Sequence, residues 1–363
     1  MSGMRFGNNN FVNTDNFLAS STFNSSYPIA NIYDTRRGVY GSFRGNFIVT
    51  TGENNLYIND GTDKTITLTS AEYTGTTLAA HIQTQLNASS SNWTCTYSAT
   101  TYKFTIDRSS GTKIIRLSVL TDAVWDMIGF TAATDTAAPY TSDAARIHHY
   151  EYLTIDLGIN QEIGFVGLIG PINEKLGLSG TADVRIQGNN LNTWAAPATD
   201  VPLTIGGTGA FAFPDTSHRY WRLLVKDRGN PGGPAALKIS YLSISTAVKF
   251  AVTSIANGFS VQYLDNSTVL VSENGTKYFD TRPKIWTLGG EIQIVYSDER
   301  RDLEQFFYDS GISQPFFVSI DPGLLVFEGH SEATKFVRFT DTPSLTHVIR
   351  DYFTASIAME EVV

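Results

Sequence analysis

The sequence predicts a mainly β chain in three units, the first of them interrupted by the second. Three observations lead there. Hydrophobic residues make up 42% of the 363 positions and charged residues only 17%, with 30 Gly, 17 Tyr and 22 Phe. That balance favours short strands and many turns over long solvated helices. Strand-like alternation recurs along the chain, as in "YEYLTIDLG" (150–158), where Leu153, Ile155 and Leu157 share one face. Finally, the aromatic-rich texture of "SYPIANIYDTRRGVYGSFRG" (26–45) breaks off near residue 51 and returns only after residue 146.

Taken in order, residues 1–51 supply a proline-set, aromatic-rich opening. The block 52–145 has a different texture. "NLYINDGTDKTITLT" predicts two strands around Asn59-Asp60-Gly61, a strong hairpin signal. "TTLAAHIQTQLNA" places Leu78, Ile82 and Leu86 four apart, one narrow helical stripe. "WTCTYSATTYKFTIDRSSGTKIIRLSV" predicts two or three further strands with turns at Ala99–Thr100 and Ser110–Gly111. "DAVWDMIGF" closes the block as a short helix stopped by Gly129, before a small, polar linker.

Strand signals resume with "EIGFVGLIG", "ADVRIQGNN", "HRYWRLLVKD" (218–227) and "ALKISYLSIS" (236–245). Alternation puts Trp221 and Leu223 on one face, taken as the core face, and Tyr220 and Arg222 on the other. Residues 251–363 form the third unit. Hairpin turns are predicted at Asp265–Asn266 and Asn274–Gly275, then a long strand pair in "KIWTLGGEIQIVYS". "SDERRDLEQFFYDSG" carries every helix signal. Ser297 stands at the N-cap, Asp298 and Glu299 in the first turn, Leu303, Phe306 and Phe307 on one face, and Gly311 at the stop.

The same residues exclude several function classes. A net charge of −9 argues against nucleic acid, which needs clustered Lys and Arg; the pairs Arg36–Arg37 and Arg300–Arg301 are short and flanked by acids. Cys95 is the only cysteine, so no disulfide framework or cysteine-based zinc site is expected, and its alternating setting predicts a buried core thiol. The N-terminus lacks a charged start followed by an apolar run, so no secretory signal is expected. No stretch approaches the roughly 20 apolar residues that span a bilayer. Gly207-Thr-Gly209 follows a strand but precedes no helix, and "LGLSG" misses the nucleophile-elbow spacing. "DGTDK" lacks the bidentate Glu of a calcium loop. His148 and His149 are adjacent, so on a strand they point to opposite faces. Glu304 is expected to pair with Arg300 or Arg301 on the helix surface. No catalytic, cofactor or metal residues are expected, and the chain reads as a non-enzyme.

The pieces "YPIANIYD", "YLTIDLG", "GFVGLIG", "VRIQGNN", "YWRLLVKD" and "LKISYLSI", once 52–145 is set aside, resemble the discoidin-like, galactose-binding-like β-sandwich. That family usually opens its "IDLG" strand with Trp, where this chain has Tyr152 and Thr154. The resemblance implies one sandwich made from 1–51 and 146–250, split by an inserted α+β domain. Insertions are tolerated where the chain leaves and returns at one exposed loop.

The block 52–145 is similar to a module of tailed-bacteriophage virion proteins. The run "IWTLGGEIQIVYSDERRDLEQFFYDSGISQPFFVSIDP" resembles minor or distal tail proteins. These resemblances imply a structural protein of a phage tail tip or baseplate, assembled in the host cytoplasm as part of the virion. Its expected partners are other tail proteins and copies of itself in threefold or sixfold symmetry, with Phe307, Tyr308, Phe316 and Phe317 at the subunit surface. The alternative is a host-glycan-binding module. It would use loops 171–181 and 206–219, with Trp194 and Phe211 stacking on a sugar beside His218, although packing of these two rings between loops is the reading the sequence favours. A polysaccharide depolymerase would need a carboxylate pair at readable spacing, which the sequence lacks.

Overall fold

The computed structural model describes residues 4–21, 26–36, 38–43, 47–117, 123–130, 135–143, 145, 151–171, 176–206, 209–227, 237–250, 260–294, 297–321, 326–327, 331–332, 334–349 and 352–362. Among them three α-helices stand against 31 strands, so the chain is mainly β, as its composition predicts. His148 and His149 lie outside the described residues.

β1 (Arg5–Asn10) and β2 (Phe17–Ser20) are joined by a turn built from asparagine side chains. Asn10 Oδ1 accepts from the Val12 amide, and Asn13 Oδ1 accepts from those of Asp15 and Asn16. Such local bonding is why Asn favours turns. Ile29–Tyr33 forms a 3-10 helix behind Pro28 and buries Ile32.

Residues 47–145 build a core from their own side chains. β3 (Asn55–Asn59) and β4 (Asp63–Thr67) form the predicted hairpin, with Gly61 at φ +122° donating to Asn59 Oδ1. α1 (Gly75–Ser89) begins at Thr74. The Thr74 hydroxyl accepts from the Thr77 amide and the Thr77 hydroxyl from the Thr74 amide, which satisfies two otherwise free donors. Leu78, Ile82 and Leu86 are its buried stripe. β5 (Trp93–Ser98) and β6 (Lys103–Arg108) pair antiparallel. α2 (Ala123–Met127) ends before Gly129, whose φ of +84° provides the left-handed stop. Leu56, Ile82, Trp93, Phe104, Trp125 and Phe130 belong to one hydrophobic cluster drawn entirely from 47–145. Phe47 and Val49 join it because 47–49 pairs with 71–73, so this core begins a few residues before 52.

Residues 47–145 expressed alone should unfold in one cooperative transition; a broad, probe-dependent melt would show that this core needs the rest of the chain. Within that core, burial pushes the Cys95 thiol up to about 12. The thiolate is the reactive form, so native protein at neutral pH should leave a thiol reagent unconsumed, and denatured protein should react. Prompt labelling of native Cys95 would mean that this core opens readily.

β7 (Glu151–Ile163), β8 (Phe165–Ile169), β9 (Asp183–Asn189), β10 (Thr199–Pro202), β11 (Gly209–Ala212), β12 (Thr216–Lys226) and β13 (Tyr241–Lys249) follow. They form two antiparallel sheets. One has the order β10-β9-β12-β7-β2, and the other contains β11-β8-β13-β1. Leu153, Ile155, Ile186, Trp221, Leu223 and Val225 of the first sheet meet Val166, Leu168, Ala210, Leu242 and Ile244 of the second in one core. Trp221 and Leu223 thus face the core as alternation predicts, and the Trp221 Nε1–H donates to the His218 carbonyl at 3.1 Å. Alternation alone does not predict the other face: Arg222 and Leu224 are buried there as well.

The last part of the chain comprises β14 (Ser260–Asp265), β15 (Thr268–Val271), β16 (Lys277–Asp280), β17 (Lys284–Ile294), α3 (Ser297–Ser310), β18 (Phe316–Ser319), β19 (Thr334–Phe339), β20 (Ser344–Ile349) and β21 (Tyr352–Glu361). α3 buries Leu303 and Phe306 and stops at Gly311, φ +50°. Arg300 pairs with Glu304 at 2.7 Å on its surface, as the i,i+4 spacing predicts.

The sheet that holds β13 and β1 continues into this region. β18 pairs with β1 through Arg5↔Ser319 and Phe6↔Val318, and the order runs on as β18-β19-β21-β17-β14, with β20 also on β21. β1 is therefore the seam. Phe6 enters the core beneath α3, its ring stacked 5.3 Å from Phe306. On the opposite face, Phe165, Phe211, Tyr241, Phe317 and Phe336 form an aromatic cluster. A Cβ on Gly167 would lie 2.8 Å from the Phe317 ring, so this close approach requires glycine.

Candidate assembly surface

The residues expected at a sugar site do not converge. Trp194 is half-buried, its Nε1–H donating to Asn192 Oδ1 at 2.9 Å. The Arg222 guanidinium sits 4.7 Å from its ring centroid and donates twice to Gln187 Oε1. The indole thus covers a buried cation on the outer face of β12. His218 lies 2.7 Å from Thr199 Oγ1 and 3.2 Å from Asn190 Oδ1, and burial lowers its pKa. Phe211 is buried on the other sheet, 5.8 Å from Phe317, and has no face for a ligand. Its reading as a sugar platform is corrected on that ground. Hydrophobicity drove the side chain into the chain's own seam, and the sequence does not show that Phe211 and Phe317 come together.

The aromatic surface expected around the end of α3 divides differently. Phe316 and Phe317 are buried inside the chain, Phe316 against Phe306 at 4.9 Å and Phe317 against Phe336 at 4.9 Å. Neither is available to another subunit, a correction that follows from β1 bringing a second core alongside them. Phe307 is half-buried, edge-on to Phe339 at 5.1 Å. Tyr308 remains 86% exposed.

Among the described residues, the largest concentration of exposed apolar side chains lies elsewhere, on 260–280. Every residue of β14, β15 and β16 is exposed. Val261, Tyr263, Leu264, Val269, Leu270, Val271, Tyr278 and Phe279 all stand in solvent. The register explains why both faces are apolar. Val269 lies opposite Phe279 and Leu270 opposite Tyr278, so one pair marks each face of the β15–β16 hairpin. Leu270 is 64% exposed and Phe279 69%. Among the described residues, the hairpin pairs with no third strand.

A two-stranded hairpin is marginal by itself, and contiguous exposed apolar patches mark interaction surfaces. Its base is held by polar contacts: Ser267 Oγ accepts from the Arg282 amide, and Arg282 pairs with Asp280. Hydrogen bonds from the Ser267 hydroxyl and amide hold the Asp265 carboxyl below its usual range. A signal for this surface is readable in "VQYLDNSTVLVSENGTKYF", which has apolar residues on consecutive positions. A strand with one solvated face does not need them.

Among the described residues, no group of three or more His, Cys, Asp or Glu side chains is placed to hold a metal ion, and no helix is long and apolar enough to cross a membrane. No protein-family model matches the chain, and no curated protein matches it in sequence.

Proposed function

We propose that this chain is a structural component of a bacteriophage tail tip or baseplate, built into a ring or fibre-attachment scaffold by residues 251–363. In this reading 1–51 and 146–250 form a discoidin-like sandwich that projects from the ring, and 52–145 is a domain inserted into it. The observation that carries the proposal is the apolar arm at 260–280, exposed on both faces of its hairpin. Surface of this kind is covered in an assembly, and closed symmetry limits open-ended aggregation. The resemblance of 285–322 to minor or distal tail proteins gives that assembly its identity. The shared core of β2 and β7 with β8 and β13, on either side of 47–145, supports the insertion.

The test is quantitative mass spectrometry and imaging of tailed particles whose genome encodes the chain. The expected result is several copies per particle, arranged in a threefold or sixfold ring with 251–363 at the contacts. Absence from the particles, or a single copy, overturns the proposal. The glycan-binding alternative would require a hit for the purified chain on a glycan array that survives loss of the arm.

A further inference from the structure

Two open strand edges within 251–363 suggest how one copy meets the next. In that region β20, β21, β17 and β14 lie side by side, each antiparallel to its neighbour. β14 is the last strand on one side. β20 pairs only with β21, so its outer edge is also unpaired among the described residues. Both strands are six residues long, Ser260–Asp265 and Ser344–Ile349.

Among the described residues neither edge strand carries the usual protection. Monomeric proteins blunt edge strands with lysine, proline, inward charges or bulges. β14 reads SVQYLD and β20 reads SLTHVI, with no Lys, Arg or Pro and one terminal Asp between them. The single bulge in β20 lies between His347 and Ile349, which leaves Ser344–His347 regular. Both edges also expose apolar side chains: Val261, Tyr263 and Leu264 on β14, Val348 and Ile349 on β20.

We infer that β14 of one copy adds to β20 of the next, extending the sheet head to tail between subunits. Strand direction supports this partner. Four alternating strands end in two that run oppositely, so a copy related by rotation about an axis along the strands presents β14 antiparallel to β20. The occupant is a second copy of this chain, because one repeated contact then covers both open edges. A twofold β14–β14 pair would leave β20 open, and a foreign strand on either edge would leave the other. Such a heterologous contact closes into a ring when the rotation per copy closes. The inference rests on reading 251–363 as the assembly surface and does not depend on the particle being a virion.

The experiment uses the full chain and two single variants, Gln262→Cys and Thr346→Cys. Both positions are exposed, and the native Cys95 is buried, so the introduced thiols alone should react. Each variant is first shown to keep the parent melting temperature. They are then cross-linked at high concentration with a short bismaleimide, separately and mixed. The expected result is dimer from the mixture and little from either variant alone, with the double variant giving a ladder of larger species. Tyr263→Lys together with Val348→Lys should abolish the cross-links while the monomer remains folded.

Efficient 262–262 cross-linking would overturn the head-to-tail arrangement in favour of a twofold one. Monomer without cross-links at every concentration would overturn self-association through these edges. Either result is separate from the particle test. A chain absent from virions but cross-linked 262–346 would sink the tail reading and keep this one.

Discussion

Replacing Trp221 with Ala is expected to destabilise the two-sheet core by about 3–5 kcal/mol, the range for truncating a large buried aromatic side chain. Trp221 is fully buried between the two sheets, with Ile155 as its register partner on β7 and Gly188 on β9. The neighbouring glycine is part of the fit: a Cβ on Gly188 would lie 3.0 Å from the indole and 2.5 Å from the His218 ring. The substitution also removes the donor to the His218 carbonyl. Urea unfolding followed by circular dichroism measures the effect, read on the transition that 47–145 alone does not show. A loss under about 1 kcal/mol would put Trp221 outside the core, against the range expected for core truncation. Trp221→Phe, which keeps a ring and leaves a smaller cavity, should lose less.

Phe317→Ala is expected to cost a similar amount, about 3–5 kcal/mol, and to act on the seam between the two cores. The ring is 1% exposed and lies within 6.0 Å, centroid to centroid, of Phe165, Phe211, Tyr241 and Phe336. Those partners come from β8, β11, β13 and β19, so one truncation loosens four strands on both sides of β1. Hydrogen exchange should therefore quicken in β18, β19 and β13 together. Tyr308→Ala is the control, because Tyr308 is largely exposed and surface changes usually stay within about 0.5 kcal/mol. If Phe317→Ala proves as mild as Tyr308→Ala, the aromatic seam is not a stabilising junction.

Several elements are legible in the amino-acid sequence because their signal and its consequence lie within a few residues. Asn59-Asp60-Gly61 gives a hairpin because glycine enters the positive-φ region at little cost. The stripe Leu78, Ile82 and Leu86 gives a helix because four-residue spacing keeps one face apolar. Ser297 to Gly311 likewise carries its own start and stop, although the helix takes in Ser297 itself. That Trp221 and Leu223 share a face follows from alternation, and their apolar character marks it as a core face.

Other features depend on residues far apart in the chain. The strand at Arg5–Asn10 has a polar, asparagine-rich sequence that shows little of its role, yet it joins β13 to β18 across more than 200 residues. That pairing decided the fate of three phenylalanines. Phe211, Phe316 and Phe317 look equally fit for an outer surface in the sequence, and all three are buried: Phe211 and Phe317 by distant strands, Phe316 by the neighbouring α3 together with Phe6 of β1. The reverse holds for 260–280, where apolar residues that local reasoning assigns to a hairpin are left exposed because no element of the chain covers them among the described residues. Sequence alone determined the mainly β class, the turns, the helices and the core side of individual strands, since these follow from backbone sterics and periodic burial. Which apolar faces met partners within the chain, and which remained open, was decided by non-local strand pairing, because burial is a property of the assembled surface and not of the residue.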